Sequence, residues 1–152
     1  MDNVKPLEII RNCLTLSLLL AMSAVTASAH ADVVVIVSAK SHVTSLTAAQ
    51  TTRIFLGKVN TYPDDGDAFH IDQAEGSAIR DEFYSKVVHK SSSQLAAYWA
   101  KVVFTGDGRP PEMLESDMAV RKAVAKNPNA IGYIDKSAVD KSVRVILGQL
   151  VR

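Results

Sequence analysis

Hydrophobic positions divide most of the chain into short continuous runs and stripes of helical spacing. Residues 33–37, with the sequence VVVIV, are apolar and β-branched throughout, which is typical of a strand buried on both faces of a mainly parallel sheet. Ser38, Ser41 and His42 follow this run. Loops at the carboxyl ends of strands form ligand sites in open α/β sheets, so these residues are candidate ligand contacts, with an ordinary connecting loop as the alternative.

Cap residues and apolar stripes predict four helices. The first begins at Thr47, where Gln50 completes a capping box, and runs to about Leu56 before Gly57 ends it. The second begins at Ser77, and its core-facing stripe consists of Ile79, Phe83, Tyr84, Val87 and Val88.

Arg80 and Lys86 fall off the stripe of the second helix. The third helix is capped within serines 91–93, and its apolar face consists of Leu95, Tyr98, Trp99, Val102 and Val103. The fourth begins at Ser116 and runs to about Lys126, with Val120, Ala123 and Val124 inward.

Three more strands follow from short apolar segments at residues 69–71, 130–134 and 143–147. Gly132 in the second of these suggests a close approach of another backbone or side chain. In the last, Val143, Val145 and Leu147 alternate with Arg144 and Ile146.

Residues 60–67 and 104–111 are predicted loops, because glycine and proline cluster there. The order of elements predicts an α/β fold with a mixed, mainly parallel sheet flanked by helices.

The first 31 residues have the pattern of a secretory signal peptide. A basic start is followed by an apolar run at residues 13–27 and by the small-residue site AHA at 29–31. A membrane anchor is the alternative, but alanine, serine and threonine dominate the end of the run and no stop-transfer flank follows. We therefore expect cleavage after Ala31, a single domain at 32–152 without a transmembrane segment, and a periplasmic or secreted location.

Composition excludes several kinds of site and partner for residues 32–152. The only cysteine is Cys13, so thiol chemistry, disulfides and thiolate metal sites are excluded from that part. Removing the two basic and two acidic residues of 1–31 leaves 15 Lys and Arg against 14 Asp and Glu. A nucleic-acid binder would need a basic excess, so nucleic acid is not an expected partner.

No catalytic or cofactor motif is present in the sequence. Nucleophile elbow, P-loop, dinucleotide-binding and metalloprotease patterns are all missing. His42, His70 and His89 are too scattered to specify a metal site. We therefore expect neither an enzyme nor a cofactor nor a metal.

The turn at Gly76 and Ser77 is the strongest remaining signal. A strand that ends near Gln73, a turn through Gly76 and a helix start at Ser77 would leave backbone N–H groups of Ser77, Ala78 and Ile79 unpaired, which is an anion-binding geometry. An ordinary serine cap is the alternative.

Four segments together resemble a known family. The series LTAAQ at 46–50 followed by IFLGK at 54–58, then residues 72–83 with Gly76 and Ser77, then AIGYI at 130–134, is similar to the PstS-like phosphate-binding proteins of ABC importers. The resemblance implies part of a type II periplasmic-binding-protein fold, and it places Gly76 and Ser77 at the first two positions of the family's phosphate turn.

The chain also departs from that family. Ala78 and Ile79 stand where the family has glycine and threonine, and Gln73 stands near where it usually has an arginine. Arg80 is a candidate substitute for that arginine. The chain begins at what corresponds to a later strand of the family, so we expect an incomplete or shallow cleft.

Two functions follow from these expectations. The first is a periplasmic solute-binding protein for an inorganic oxyanion, chiefly phosphate, that serves the membrane subunits of an ABC importer. Its ligand contacts would be Gly76, Ser77, Ala78, Ile79, Arg80, Ser38 and Ser41. The second is an interaction module that has lost ligand binding and contacts another envelope protein.

Overall fold

Five strands form one sheet in the computed structural model, which describes residues 32–148. The strands are β1 (Val33–Ser38), β2 (Phe69–Gln73), β3 (Glu112–Leu114), β4 (Ala130–Asp135) and β5 (Val143–Leu147). The described residues belong to a single compact unit. The predicted signal peptide and its cleavage site lie outside them.

The strand order is β3-β2-β4-β1-β5. β2 pairs in parallel with β3 and β4, whereas β1 pairs antiparallel with β4 and β5. Four strands therefore point the same way and only β1 opposes them. This confirms a mixed, mainly parallel sheet, with the difference that the most apolar strand is the antiparallel one.

Helices cover both faces of the sheet. They are α1 (Ala48–Phe55), α2 (Ala78–Phe83), α3 (Ser92–Thr105) and α4 (Asp117–Lys126), and a π-helical turn at Tyr84–Val88 directly continues α2. One core joins alternate residues of β1 and β4 with α1, α2, the π-helical turn and α3. The other joins the opposite faces of β1 and β4 with α4. Because helices cover it on both sides, all six residues of β1 are buried.

Local sequence signals account for most helix boundaries. The capping box of Thr47 and Gln50 is present at α1, and Gly57 adopts φ +63° after it. Ser91 and Gln94 form a second capping box at α3. The predicted close approach at Gly132 is confirmed, because a Cβ there would lie 2.7 Å from Cγ1 of Val120 on α4.

Three details differ from expectation. β3 lies just after the predicted loop 104–111, where sequence periodicity gave no strand. In β5, Ile146 is buried and Val145 is half-exposed, because the register with β1 shifts between Val35 and Ile36 and breaks the expected alternation. Val103, expected in the core, is 54% exposed.

Candidate functional site

The turn between β2 and α2 lies where the sequence predicts it, but of the three backbone N–H groups expected to be unpaired, that of Ser77 is paired. β2 ends at Gln73, Ser77 N–H donates to the carbonyl of Ala74 at 3.2 Å, and Gly76 adopts φ +82°. Ser77 is the N-cap of α2, with its Oγ 3.5 Å from the backbone nitrogen of Arg80. The backbone N–H groups of Ala78 and Ile79 have no hydrogen-bond acceptor among the described residues.

A buried carboxylate, Asp72, lies directly before this turn. Its side chain is fully buried, and it accepts four hydrogen bonds. Oδ2 accepts from Arg80 Nε at 3.2 Å and from the Tyr84 hydroxyl at 2.9 Å. Oδ1 accepts from the backbone of Gln73 at 2.9 Å and from the Tyr133 hydroxyl. Four hydrogen bonds fill the accepting capacity of a carboxylate, so Asp72 anchors its neighbours rather than serving as a base.

Arg80, which Asp72 holds through Nε, has terminal nitrogens without a hydrogen bond to the described residues. Arg80 is only 6% exposed, yet its two terminal guanidinium nitrogens donate to no described residue. Arg80 therefore offers a fixed positive charge with free donors, which is how proteins bind planar or tetrahedral anions.

Electrostatics keep Arg80 charged and the hydroxyls of Tyr84 and Tyr133 protonated. Burial by itself would lower the pKa of Arg80, but the charge of Asp72 and the hydrogen bond to it outweigh burial and hold that pKa above its usual value. Burial, and then the negative charge of Asp72, raise the pKa of both Tyr84 and Tyr133. The two hydroxyls thus stay protonated and donate to Asp72.

Gln73 connects the turn to the neighbouring elements. Its Nε2 donates to Asp117 Oδ1 at 2.6 Å and to the carbonyl of Tyr133 at 3.2 Å, while its Oε1 accepts from the Ser77 hydroxyl at 3.0 Å. The Ser77 hydroxyl proton is therefore engaged inside the domain. Its oxygen faces the start of α2, where it serves as the cap.

Five predicted ligand residues, Gly76 to Arg80, are contiguous on this turn and helix start, but Ser38 and Ser41 lie elsewhere. Residue 131 of β4 is the register partner of both Val37 and His70, so the antiparallel β1 ends beside the start of β2. Ser38 and Ser41 thus lie at the opposite end of β2 from Ser77. The expectation that they share one ligand site with Ser77 is therefore wrong.

Both serines have local structural roles in their own loop. The Ser38 hydroxyl donates to the carbonyl of Ala125 at 3.2 Å, and Ser41 Oγ accepts from the backbone of Val43 at 3.3 Å. His42, the third residue of that loop, pairs with Asp64 at 2.9 Å.

Sequence reasoning missed Asp72, Tyr84 and Tyr133 as parts of the site. The apolar pattern predicts Tyr84 in the core and Tyr133 in a strand, and it places Arg80 off the apolar stripe. The single available signal was that Arg80 and Tyr84 are one turn apart on a helix, with an acid at the end of the preceding strand. Nothing in their spacing specifies that the acid is buried between them.

Other site types are not found in the described part of the chain. Within residues 32–148, no group of three or more His, Cys, Asp or Glu side chains could hold a metal ion. No helix among them is long and apolar enough to cross a membrane.

Comparison with known proteins supports the fold. No protein-family model and no curated protein matches the sequence. A protein from Clostridium perfringens, solved with bound phosphate and assigned to the substrate-binding proteins of phosphate ABC transporters, is 24% identical with a TM-score of 0.61. That alignment covers 76% of this chain and 44% of the other.

Two further solved structures agree. An ABC-type phosphate transport receptor from Vibrio cholerae is 22% identical with a TM-score of 0.60, over 76% of this chain and 45% of that one. PstS from Borrelia burgdorferi is 14% identical with a TM-score of 0.58, over 77% and 47%. The chain spans less than half the length of these structures, and over that part it has their fold.

Proposed function

We propose that this chain is a periplasmic solute-binding protein that takes an inorganic oxyanion, with phosphate as its primary ligand, at the start of α2. The observation that carries the proposal is the guanidinium of Arg80, held by Asp72 and still free at both terminal nitrogens. Two of the solved proteins that share the fold are named for phosphate transport, and one of these was solved with phosphate bound.

The anion would lie between the terminal nitrogens of Arg80 and the free N–H groups of Ala78 and Ile79. A buried, pre-positioned arginine loses little freedom on binding, which favours affinity. Arg80 would thereby replace the arginine that the resembled family carries at the position of Gln73. Serving the membrane subunits of an ABC importer is part of this proposal.

Affinity should be modest. Contacts come from one side of the ligand only, so water still reaches the anion and weakens each charged hydrogen bond. We expect a dissociation constant of roughly 1 mM for phosphate. The Ser77 hydroxyl contributes less than Arg80, because its proton is already donated to Gln73.

Isothermal titration of the purified protein with sodium phosphate tests the site. Arg80→Lys keeps a positive charge beside Asp72 but loses the planar fork, and it should weaken binding by roughly tenfold. Arg53→Lys makes the same change at an exposed position of α1 and should leave binding unaltered. If all three proteins bound phosphate with the same dissociation constant, Arg80 would not be part of the binding site.

A second candidate is the envelope interaction module without a ligand. One observation favours it. The Ser77 hydroxyl donates to the side-chain oxygen of Gln73, so polar groups of the turn already bond to each other without a ligand. Absence of heat at about 20 mM phosphate, roughly twentyfold above the expected dissociation constant, would reject the oxyanion proposal if circular dichroism shows a folded protein.

A further inference from the structure

A cavity of about 1230 Å³ lies beside the start of β2, away from the turn at Ser77. Its wall is formed by the residues after α1, the first residues of β2, part of α3 and the loop before β3. None of residues 72–84 lines it. The cavity is therefore separate from the proposed anion site, and its size suits a small organic molecule.

Two buried nitrogens belong to residues in the wall of this cavity. Within residues 32–148, the buried side-chain atoms without a hydrogen-bond partner are Nε2 of His70 and Nε1 of Trp99, and both residues line the cavity. Trp99 is only 7% exposed. Buried polar groups without a partner are rare and destabilising in folded proteins. Their occurrence in one wall indicates a partner that comes from outside the chain.

The chemistry of the two nitrogens limits what can pair with them. The indole N–H of Trp99 only donates, so its partner must be an acceptor such as a carbonyl oxygen or a ring nitrogen. Nε2 of His70 donates in one tautomer of the neutral ring and accepts in the other, so it adapts to either kind of group. A ligand of this cavity therefore carries at least one hydrogen-bond acceptor.

Aromatic rings form much of the wall around these nitrogens. The rings of Tyr98 and Trp99 lie edge to face with centroids 5.2 Å apart, and Phe69 is 54% exposed at the start of β2. The Tyr98 hydroxyl donates to the carbonyl of Leu56 at 2.6 Å, which holds its ring in place. Aromatic walls with a few polar atoms are typical of small-molecule sites, and flat rings gain from stacking on them.

The charged residues of the wall balance each other. Two are basic, Lys58 and Arg109, two are acidic, Asp107 and Glu112, and all four are exposed. A balanced set of exposed charges gives no net attraction for an anion or a cation. An ion would also lose hydration among the aromatic rings, so the cavity favours an uncharged ligand.

We propose that this cavity binds an uncharged aromatic compound that carries a hydrogen-bond acceptor, such as a heteroaromatic amide. The ring of the ligand would lie against Phe69, Tyr98 and Trp99. Its acceptor would take the indole N–H of Trp99, and His70 would supply a second polar contact. This site does not depend on the oxyanion proposed at the start of α2.

Nicotinamide, an uncharged pyridine carboxamide, is the probe for this site. Trp99 is the only tryptophan of the chain, so a nitrogen–proton correlation spectrum contains a single indole N–H resonance. Titration with nicotinamide should move that resonance to a saturating limit, because the ligand hydrogen-bonds to the indole. We expect a dissociation constant of roughly 1 mM for a ligand of this size.

Matched variants locate the ligand. Phe69→Val removes one aromatic wall but keeps a residue that favours strands, and it should raise the dissociation constant of nicotinamide roughly fivefold. Phe104→Val makes the same change at a position that is 91% exposed and does not line the cavity, so it should leave binding unaltered. Circular dichroism checks that both variants fold.

Nicotinate tests the preference for an uncharged ligand. It has the same ring as nicotinamide but carries a carboxylate at neutral pH. Because that charge must be desolvated among aromatic rings, nicotinate should bind at least roughly fivefold more weakly than nicotinamide.

Three results would overturn the proposal. The first is an indole resonance that does not move in up to about 20 mM nicotinamide, which would leave water as the partner of the two nitrogens. The second is equal binding of nicotinamide by the wild type and by Phe69→Val. The third is nicotinate that binds as tightly as nicotinamide or more tightly, which would make the cavity an anion site.

Discussion

At the scale of single residues, His70 shows how burial sets a charge state. Its Nε2 is buried with no hydrogen-bond partner among the described residues, and its ring lies 5.7 Å from that of Phe55. Burial lowers the pKa of His70, and the negative charge of Asp72 offsets this only in part. The imidazole is therefore neutral in the folded protein at pH values where the unfolded chain already binds a proton.

This difference makes stability depend on pH in a defined direction. Below about pH 6.5 the unfolded state takes up a proton that the folded state does not, so the free energy of unfolding falls as pH falls. Between pH 7 and pH 5 we expect His70→Phe to lose about 1 kcal/mol less stability than the wild type. Urea denaturation at several pH values measures this.

The matched control is His89→Asn. His89 is exposed and adopts φ +55°, a conformation that asparagine tolerates. The variant therefore replaces an exposed histidine and leaves the buried His70 in place. It should keep the pH dependence of the wild type. If His70→Phe did the same, the imidazole of His70 would not be the group responsible.

The serine cap could be predicted from sequence, whereas the charge cluster behind it could not. A cap depends on residues within one turn, so Ser77 was located correctly as the start of α2. The pair of Asp72 and Arg80 joins a strand to a helix. Tyr133 of β4 donates to the same carboxylate, and no local pattern encodes that placement.

At the scale of elements, the contact between α4 and β4 depends on the absence of a side chain. A Cβ on Gly132 would lie 2.7 Å from Cγ1 of Val120 and 3.1 Å from Cγ2 of Val124. Gly132→Ala should therefore destabilise the fold by roughly 1–3 kcal/mol through overpacking. Urea denaturation of the variant measures the loss.

A double variant separates overpacking from other effects of the alanine. In a Val120→Ala background the nearer methyl group is absent, so adding Gly132→Ala should cost much less than it does in the wild type. If Gly132→Ala lowered the free energy of unfolding equally in both backgrounds, a clash with Val120 would not be the cause of the destabilisation.

Element types followed from sequence more readily than strand directions did. The apolar run of β1 correctly indicated burial on both faces, but burial says nothing about direction, and β1 is antiparallel. Its direction is set by pairing with β4 and β5, more than 90 residues later in the chain. Because the sequence did not specify that direction, it also gave no indication that Ser38 and Ser41 lie at the opposite end of β2 from Ser77.

At the scale of the whole molecule, ligand binding and stability are linked. An anion that binds only the folded state raises the free energy of unfolding by about 1.4 kcal/mol at ten times its dissociation constant. For a domain of this size that corresponds to a rise in melting temperature of roughly 5 °C. The linkage holds because the turn, the helix start and Arg80 converge only in the folded chain.

Phosphate also stabilises proteins without binding, because it is excluded from their surfaces. Thermal unfolding in phosphate must therefore be compared between the wild type and Arg80→Lys, which share the exclusion effect but not the proposed site. We expect a larger rise in melting temperature in the wild type, one that saturates as phosphate increases, whereas exclusion grows steadily with concentration. Identical rises in both proteins would mean that phosphate acts by exclusion alone and that the start of α2 is only a capped helix.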